Sequence, residues 1–370
     1  MENKKFVASD NKNINYMGRI DFENKKKPAL IYAGSNLRFK FTGNSLSIAI
    51  DNISFRQDIW LGYFLDGKQY TLKICEKDDS IKCEPEKEPR FETTENMIFD
   101  IPVENDNDVH TFILYKKMDG THIFRFNGFY VDNECDIVPQ PALPKRKLEF
   151  YGDSVCCGAV CQAVDHIGVC DPEGHEGKYD DSWYSFAMIT SRLLNAQINN
   201  VSQGGMAVLD GTGYCFAPYF PGLESTYTKL QYISYYDKKE WDFSYYTPDV
   251  VVIALGQNDN HTDGMPDNDI TQISYRVKWK DAYKKILSDL HKKYPKASFI
   301  LTTTVLRHDV QWDKAIDELI SELESDRVYR NYFRRNGDAT DGHPRISEQE
   351  EMAVELTEFI NSLGEEIWAE

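Results

Sequence analysis

Polar and apolar positions alternate with two different periods in the two halves of the chain. Before residue 140 the period is two. In "NLRFKF", Leu37, Phe39 and Phe41 alternate with polar neighbours, and Leu46, Ile48 and Ile50 do the same in "SLSIAI". Such runs bury one face of a strand. Asp66-Gly67 lies between "IWLGYFL" and "QYTLKI", and Asp119-Gly120 lies between "HTFILYKK" and "HIFRFNGFYV". Each pair predicts a hairpin, because Asp-Gly accepts the left-handed backbone of a tight turn. The charged, aperiodic stretch "EKDDSIKCEPEKEPRFETTEN" predicts a surface loop between strands. Short strands, turn signals and no long amphipathic helix together predict a β-sandwich of jelly-roll type over residues 1–140.

The pattern then breaks. "VPQPALPKRK" holds three prolines within six residues, which predicts a linker over 141–147. From 148 to 370, short apolar runs alternate with helical ones. "KLEFYGDS", "QINNVSQGG", "DVVVIALGQND" and "SFILTTTV" read as strands, the last two buried on both faces. "SWYSFAMITSRLLNA" carries Trp183, Phe186, Ala187, Leu193 and Leu194 at helical spacing, and "YRVKWKDAYKKILSDLHKKY" predicts a long helix. The last helix follows Pro344, with Met352, Leu356, Phe359, Ile360 and Leu363 in one apolar stripe. Strand and helix in alternation predict an α/β fold, a doubly wound parallel sheet. Ligands of such sheets bind at the carboxyl ends of the strands.

Composition narrows the partners. The 370 residues suit two domains, and 41% hydrophobic with 28% charged content describes a soluble globular protein. A net charge of −18 repels phosphate backbones and anionic bilayers, so neither nucleic acid nor a membrane is expected as a partner. A neutral sugar meets no such barrier. The stretch "MENKKFVASDNKNINYMGRI" has no apolar signal region, which leads to an expectation of a cytoplasmic protein, or of a secreted one if the sequence is trimmed. Nothing in the chain encodes a symmetry, although a homo-oligomer is compatible with it.

Four stretches carry candidate chemistry. Ser154 follows the strand "LEFYG", Gly204-Gly205 follows "INNVSQ", and Asn258 follows "VVVIALGQ". All three stand at carboxyl ends of strands. Asp341-Gly342-His343-Pro344 opens the last helix, which can return it to the same edge. A hydroxyl nucleophile needs a base, and histidine serves near neutral pH. The main-chain N–H groups of Ser154 and Gly205 and the side-chain amide of Asn258 form a candidate oxyanion hole. Asp153 reads as a brace for its own turn.

Eight cysteines are even in number but do not fall into a disulfide framework. Cys156, Cys157, Cys161, His166, Cys170 and His175 lack a paired Cys-x-x-Cys, so free thiols are expected and no metal. No motif supplies a histidine partner that would make Cys157 a nucleophile. Trp183, Trp241, Tyr214 and Tyr219 suit either a sugar site or the core.

Taken in order, Gly152-Asp153-Ser154, Gly205, Gly256-Gln257-Asn258-Asp259 and Asp341-Gly342-His343-Pro344 resemble the four blocks of the SGNH (GDSL-type) hydrolases. "YMGRIDFENKKKPALIYAGSNLRFKFTGNSLSIAI" resembles the opening of carbohydrate esterase family 2, and "GDSVCCG" resembles that family's Gly-Asp-Ser block. The resemblance implies a jelly roll joined to an SGNH domain that removes acetyl groups from xylan or xylo-oligosaccharides without a cofactor. It also implies Ser154 as nucleophile and His343 as base. Most SGNH enzymes place the acid three residues before the histidine, where this chain has Thr340. Family 2 places it two before, at Asp341, and its members range from a Ser-His-Asp triad to a Ser-His dyad oriented by a main-chain carbonyl. Asp341 equally suits a cap for the last helix.

Overall fold

The computed structural model describes residues 3–368 apart from 55–57, 76–91, 105–106, 176, 217–218, 233–237, 262–267, 324 and 340. The chain divides into two compact units, Met1–Leu143 and Pro144–Glu370.

The first unit is a sandwich of two antiparallel sheets. One runs in the order Ile20–Asp21, Ala29–Leu30, His122–Asp132, Leu46–Ser54, Glu92–Ile101, with Lys4–Ala8 also paired to His122–Asp132. The other runs Ile137–Val138, Asn36–Phe41, His110–Lys116, Ile59–Leu65, Lys68–Cys75, with Asn15–Met17 on Asn36–Phe41. Inward positions of both sheets build one core. Phe39 of one sheet stacks on Phe129 of the other, with ring centroids 3.9 Å apart. Asp66 and Gly67 both take positive φ (52° and 81°), the type I′ turn that joins Leu65 directly to Lys68. The second Asp-Gly does not make a hairpin. His110–Lys116 and His122–Asp132 lie in different sheets, so Asp119-Gly120 turns a corner between the layers. Asp119 caps that corner by accepting from Thr121 N at 3.0 Å, and the buried Lys116 ammonium donates to Met118 O at 3.1 Å. The charged stretch beginning at Glu76 lies mostly outside the described residues, and its last residues join the strand Glu92–Ile101.

The second unit holds a five-stranded parallel sheet: β1 (Arg146–Gly152), β2 (Ala196–Asn200), β3 (Val250–Ala254), β4 (Ser298–Thr302) and β5 (Val328–Arg330). β1 begins inside the stretch expected to be linker. The spatial order is β2-β1-β3-β4-β5, every pair parallel. Strand order therefore reverses between β1 and β3, and that switch point is where such sheets open a ligand crevice. β3 is buried along its whole length, as its unbroken apolar run requires. The helices that frame the sheet are α1 (Ser154–Cys157), α2 (Phe186–Leu193), α3 (Ile273–Lys293), α4 (Val310–Ser321) and α5 (Ile346–Ser362), and a further single helical turn spans Leu223–Thr226. α4 and β5 were not anticipated: β5 has three residues, too few to show a period. None of the described helices is long and apolar enough to cross a membrane.

Candidate active site

Ser154 is the first residue of α1, with Asp153 alone between it and the end of β1. Asp153 caps this helix, its Oδ1 accepting from Val155 N at 3.0 Å. Its Oδ2 accepts from Gln257 Nε2 at 2.5 Å and Asn258 Nδ2 at 2.9 Å. The fully buried carboxylate thus ties the turn after β1 to the turn after β3, across the switch point. Burial pushes Asp153 up, partly offset by the Gln257 and Val155 hydrogen bonds.

His343 stands on the turn before α5. Its Nε2 lies 2.9 Å from Ser154 Oγ, within reach of the hydroxyl proton. Gln349 of α5 fixes this helix to the nucleophile turn, donating to Val155 O at 3.1 Å and accepting from Phe186 N at 2.8 Å. The structure therefore brings the expected nucleophile and base together from residues 189 apart in the chain.

Asp341 is not the group that meets the other ring nitrogen. Its carboxylate turns outward and pairs with Arg307, and both side chains are largely exposed (49% and 72%). Nor does Asp341 cap α5, whose N-cap is Arg345. His343 Nδ1 instead lies 2.6 Å from Asp171 Oδ2, and the main-chain N–H of His343 donates to Asp171 Oδ1 at 3.0 Å. Partial burial raises the Asp171 pKa, but hydrogen bonds and charge from His343, with Arg345 in support, outweigh it and hold the carboxyl well below the usual carboxylate range. Asp171 comes from the long connection between α1 and α2, and no motif pointed to it. Gly342 leaves room for it: a Cβ there would lie 2.4 Å from Asp171 Oδ1 and 2.8 Å from Asp171 N.

The three expected oxyanion donors stand in different hydrogen-bonding states. Among the described residues no hydrogen bond engages the main-chain N–H of Ser154 or Gly205. Gly205 has φ +73°, and a Cβ would lie 2.7 Å from the Tyr214 backbone, so glycine is required by conformation as well as by space. Asn258 differs from expectation. Its Nδ2 is engaged by Asp153 Oδ2 and by Met206 O at 3.2 Å. Asp259 braces the loop after Gly205 from beneath, its Oδ1 accepting from Val208 N and Trp279 Nε1, each at 2.8 Å. Full burial raises its pKa to about 7.

The sulfur groups stand aside. Cys156, Cys157 and Cys161 are buried thiols, and burial drives the Cys156 thiol well above its ordinary value. No group of three or more potential ligands gathers around a metal position among the described residues. Of the candidate sugar-facing rings, Tyr214 is exposed, stacked on His261 at 3.6 Å, and held to the Gly205 carbonyl through its N–H at 2.8 Å. Tyr219 is exposed, Trp183 is half-buried beneath Arg192, and Trp241 is buried.

A serine, an imidazole and a carboxylate in one hydrogen-bonded line is equipment for acyl transfer. Comparison with known proteins agrees. Residues 16–141 match the family described as Carbohydrate esterase 2 N-terminal. The chain is 26% identical to the cellulase/esterase CelE of Acetivibrio thermocellus, aligning over 98% of its own length and 41% of that protein's. It therefore spans well under half of that relative. It is 25% identical to the acetylxylan esterase / glucomannan deacetylase of Cellvibrio japonicus, over 95% of this chain and 89% of that one. Among solved structures, a family two carbohydrate esterase from Clostridium thermocellum in complex with cellohexaose superposes with a TM-score of 0.72 at 25% identity, over 95% of this chain and 99% of that one.

Proposed function

We propose that this chain is a family 2 carbohydrate esterase, with an SGNH-hydrolase fold in its second unit, that removes O-acetyl groups from acetylated xylan or xylo-oligosaccharides. The observation that carries the reading is the continuous line Ser154 Oγ, His343 Nε2, His343 Nδ1, Asp171 Oδ2, with links of 2.9 and 2.6 Å. Its Cellvibrio japonicus relative, named for acetylxylan and glucomannan deacetylation, supplies the substrate class. A net charge of −18 suits a neutral glycan.

Ser154 attacks the acetyl carbonyl carbon while His343 Nε2 takes the hydroxyl proton. Asp171 holds the ring in the tautomer that leaves Nε2 free to accept, and stabilises the imidazolium that results. The carbonyl oxygen becomes an oxyanion within reach of the Ser154 and Gly205 N–H groups. Asn258 joins them by trading its long bond to the Met206 carbonyl for a charge-assisted one. The imidazolium then protonates the departing sugar oxygen, leaving acetyl-Ser154. Water, deprotonated by His343, attacks that ester, and acetate leaves with Ser154 restored. In that last step His343 returns the water-derived proton to Ser154 Oγ and the acetic acid released ionises in solution, so the cycle uses no group from outside the chain and its substrates.

The test is hydrolysis of 4-nitrophenyl acetate and of acetylated xylan by the wild type and by Ser154→Ala. The substitution should lower kcat at least about a thousandfold on both. Undiminished turnover would remove Ser154 from the mechanism. A preference for octanoyl over acetyl esters would reassign the chain to a different acyl specificity.

A further inference from the structure

Arg345 stands where a cation is electrostatically disfavoured, at the N-cap of the 17-residue helix α5. It is also fully buried. A buried guanidinium persists only where its charge and its donors are matched. Its Nη1 donates to Asp171 Oδ1 at 2.7 Å and to the His343 carbonyl at 2.7 Å. Its Nε donates to the His166 carbonyl at 3.1 Å, and further bonds at 3.4 Å reach the carbonyls of Val160 and Val169. One side chain therefore grips the acid, the main chain of the base, and three points along the connection that delivers the acid.

Each Asp171 oxygen has its own side-chain partner: Oδ2 faces the imidazole and Oδ1 faces the guanidinium. This fixes the rotation of the carboxylate, which otherwise turns freely about its last bond. It also keeps the carboxylate ionised, so that it orients the imidazolium without taking its proton. Ser154 is the neighbour at the far ring nitrogen, Asp153 is the next buried acid close enough to feel the ring's charge, and Gly342 presents no side chain.

We propose that Arg345 is a positioning residue for the reaction: it sets the place and the charge of Asp171, and through it the orientation of His343. This rests on the esterase reading above. The purpose of the pairing is not fold stability alone, and the pH profile separates the two roles. Removing a positive charge next to the Asp171–His343 pair favours the protonated ring, so the acid limb of the kcat profile should move to higher pH. A residue that only braced the fold would leave that limb in place.

The experiment measures kcat and KM for 4-nitrophenyl acetate across pH in Arg345→Met and Arg345→Lys, with thermal unfolding to confirm folding. Arg345→Met should lower kcat about a hundredfold, leave KM within about twofold, and shift the acid limb upward by about one pH unit. Arg345→Lys keeps the charge but loses the fork, so it should hold the acid limb and lose about tenfold in kcat. An unchanged acid limb in a folded Arg345→Met overturns the proposal. If that variant fails to fold, Arg345→Lys decides alone, and a wild-type kcat overturns it. Ser154→Ala run in parallel separates the two readings: activity surviving there sinks the esterase mechanism, whereas its loss beside an unmoved acid limb sinks only the role of Arg345.

Discussion

The connection that carries Asp171 and the turn that carries Asp341 each bring a carboxylate close to His343 along the chain or in space. Asp341 is two residues away in sequence, yet its side chain faces solvent and pairs with Arg307. Asp171 is 172 residues away, yet it accepts from both the ring and the main-chain N–H of His343. The difference lies in what holds each acid. Asp341 has one exposed partner in a setting where ion pairs contribute about 0–1 kcal/mol. Asp171 is clamped from three sides: His343 Nδ1, His343 N and Arg345. Proximity along a chain thus places a residue near a site, while the hydrogen bonds around it decide whether its charge reaches the chemistry.

The largest expected effect follows directly. Asp171→Asn preserves the shape of the acid but can donate an N–H to Nδ1, favouring the tautomer whose Nε2 cannot accept the serine proton. The kcat on 4-nitrophenyl acetate should fall by about 10⁴ with KM little changed. A loss under tenfold would place the orienting role elsewhere and end the contrast between the two acids.

Gly342 is the point where the two regions meet, and it sharpens the comparison at intermediate size. In Gly342→Ala the new methyl would lie 2.4 Å from Asp171 Oδ1, so the acid or the turn must move. A displacement near 1 Å in such a constellation costs about a hundredfold. The expected result is a kcat reduced by about 10², measured beside an unfolding midpoint close to that of the wild type. A full kcat in this variant would show that the Asp171 contact tolerates displacement.

How far these features were visible in the sequence depends on how local their causes are. Strand alternation, the Asp66-Gly67 turn and the apolar runs of β3 and β4 are set by neighbours a few residues apart, and they read correctly. Asp119-Gly120 carries the same dipeptide, yet it joins two sheets, because which strands pair depends on the whole sandwich and not on the turn. Ser154, Gly205 and His343 were visible because each sits in a short block at the end of an element. Asp171 has no such block: it reaches the site through an irregular connection stabilised by carbonyl contacts to Arg345, and spacing does not encode those. The signal that could have been used was Arg345 itself, a cation at a helix start that calls for a buried anion nearby.

Asp341→Asn is the smallest and most discriminating change. The substitution removes the charge that family resemblance assigned to the base and leaves every contact of Asp171 untouched. Arg307 loses an exposed partner, which solvent replaces at little cost. The kcat on 4-nitrophenyl acetate should stay within about twofold of wild type, a ΔΔG‡ of about 0.4 kcal/mol. Because the effect is small, its value lies in the pairing with Asp171→Asn. If the two variants lose activity equally, both acids act on the ring during turnover, and the outward orientation of Asp341 describes only the resting enzyme. If Asp171→Asn alone is crippled, the acid has moved from the turn before the histidine to the connection after the nucleophile.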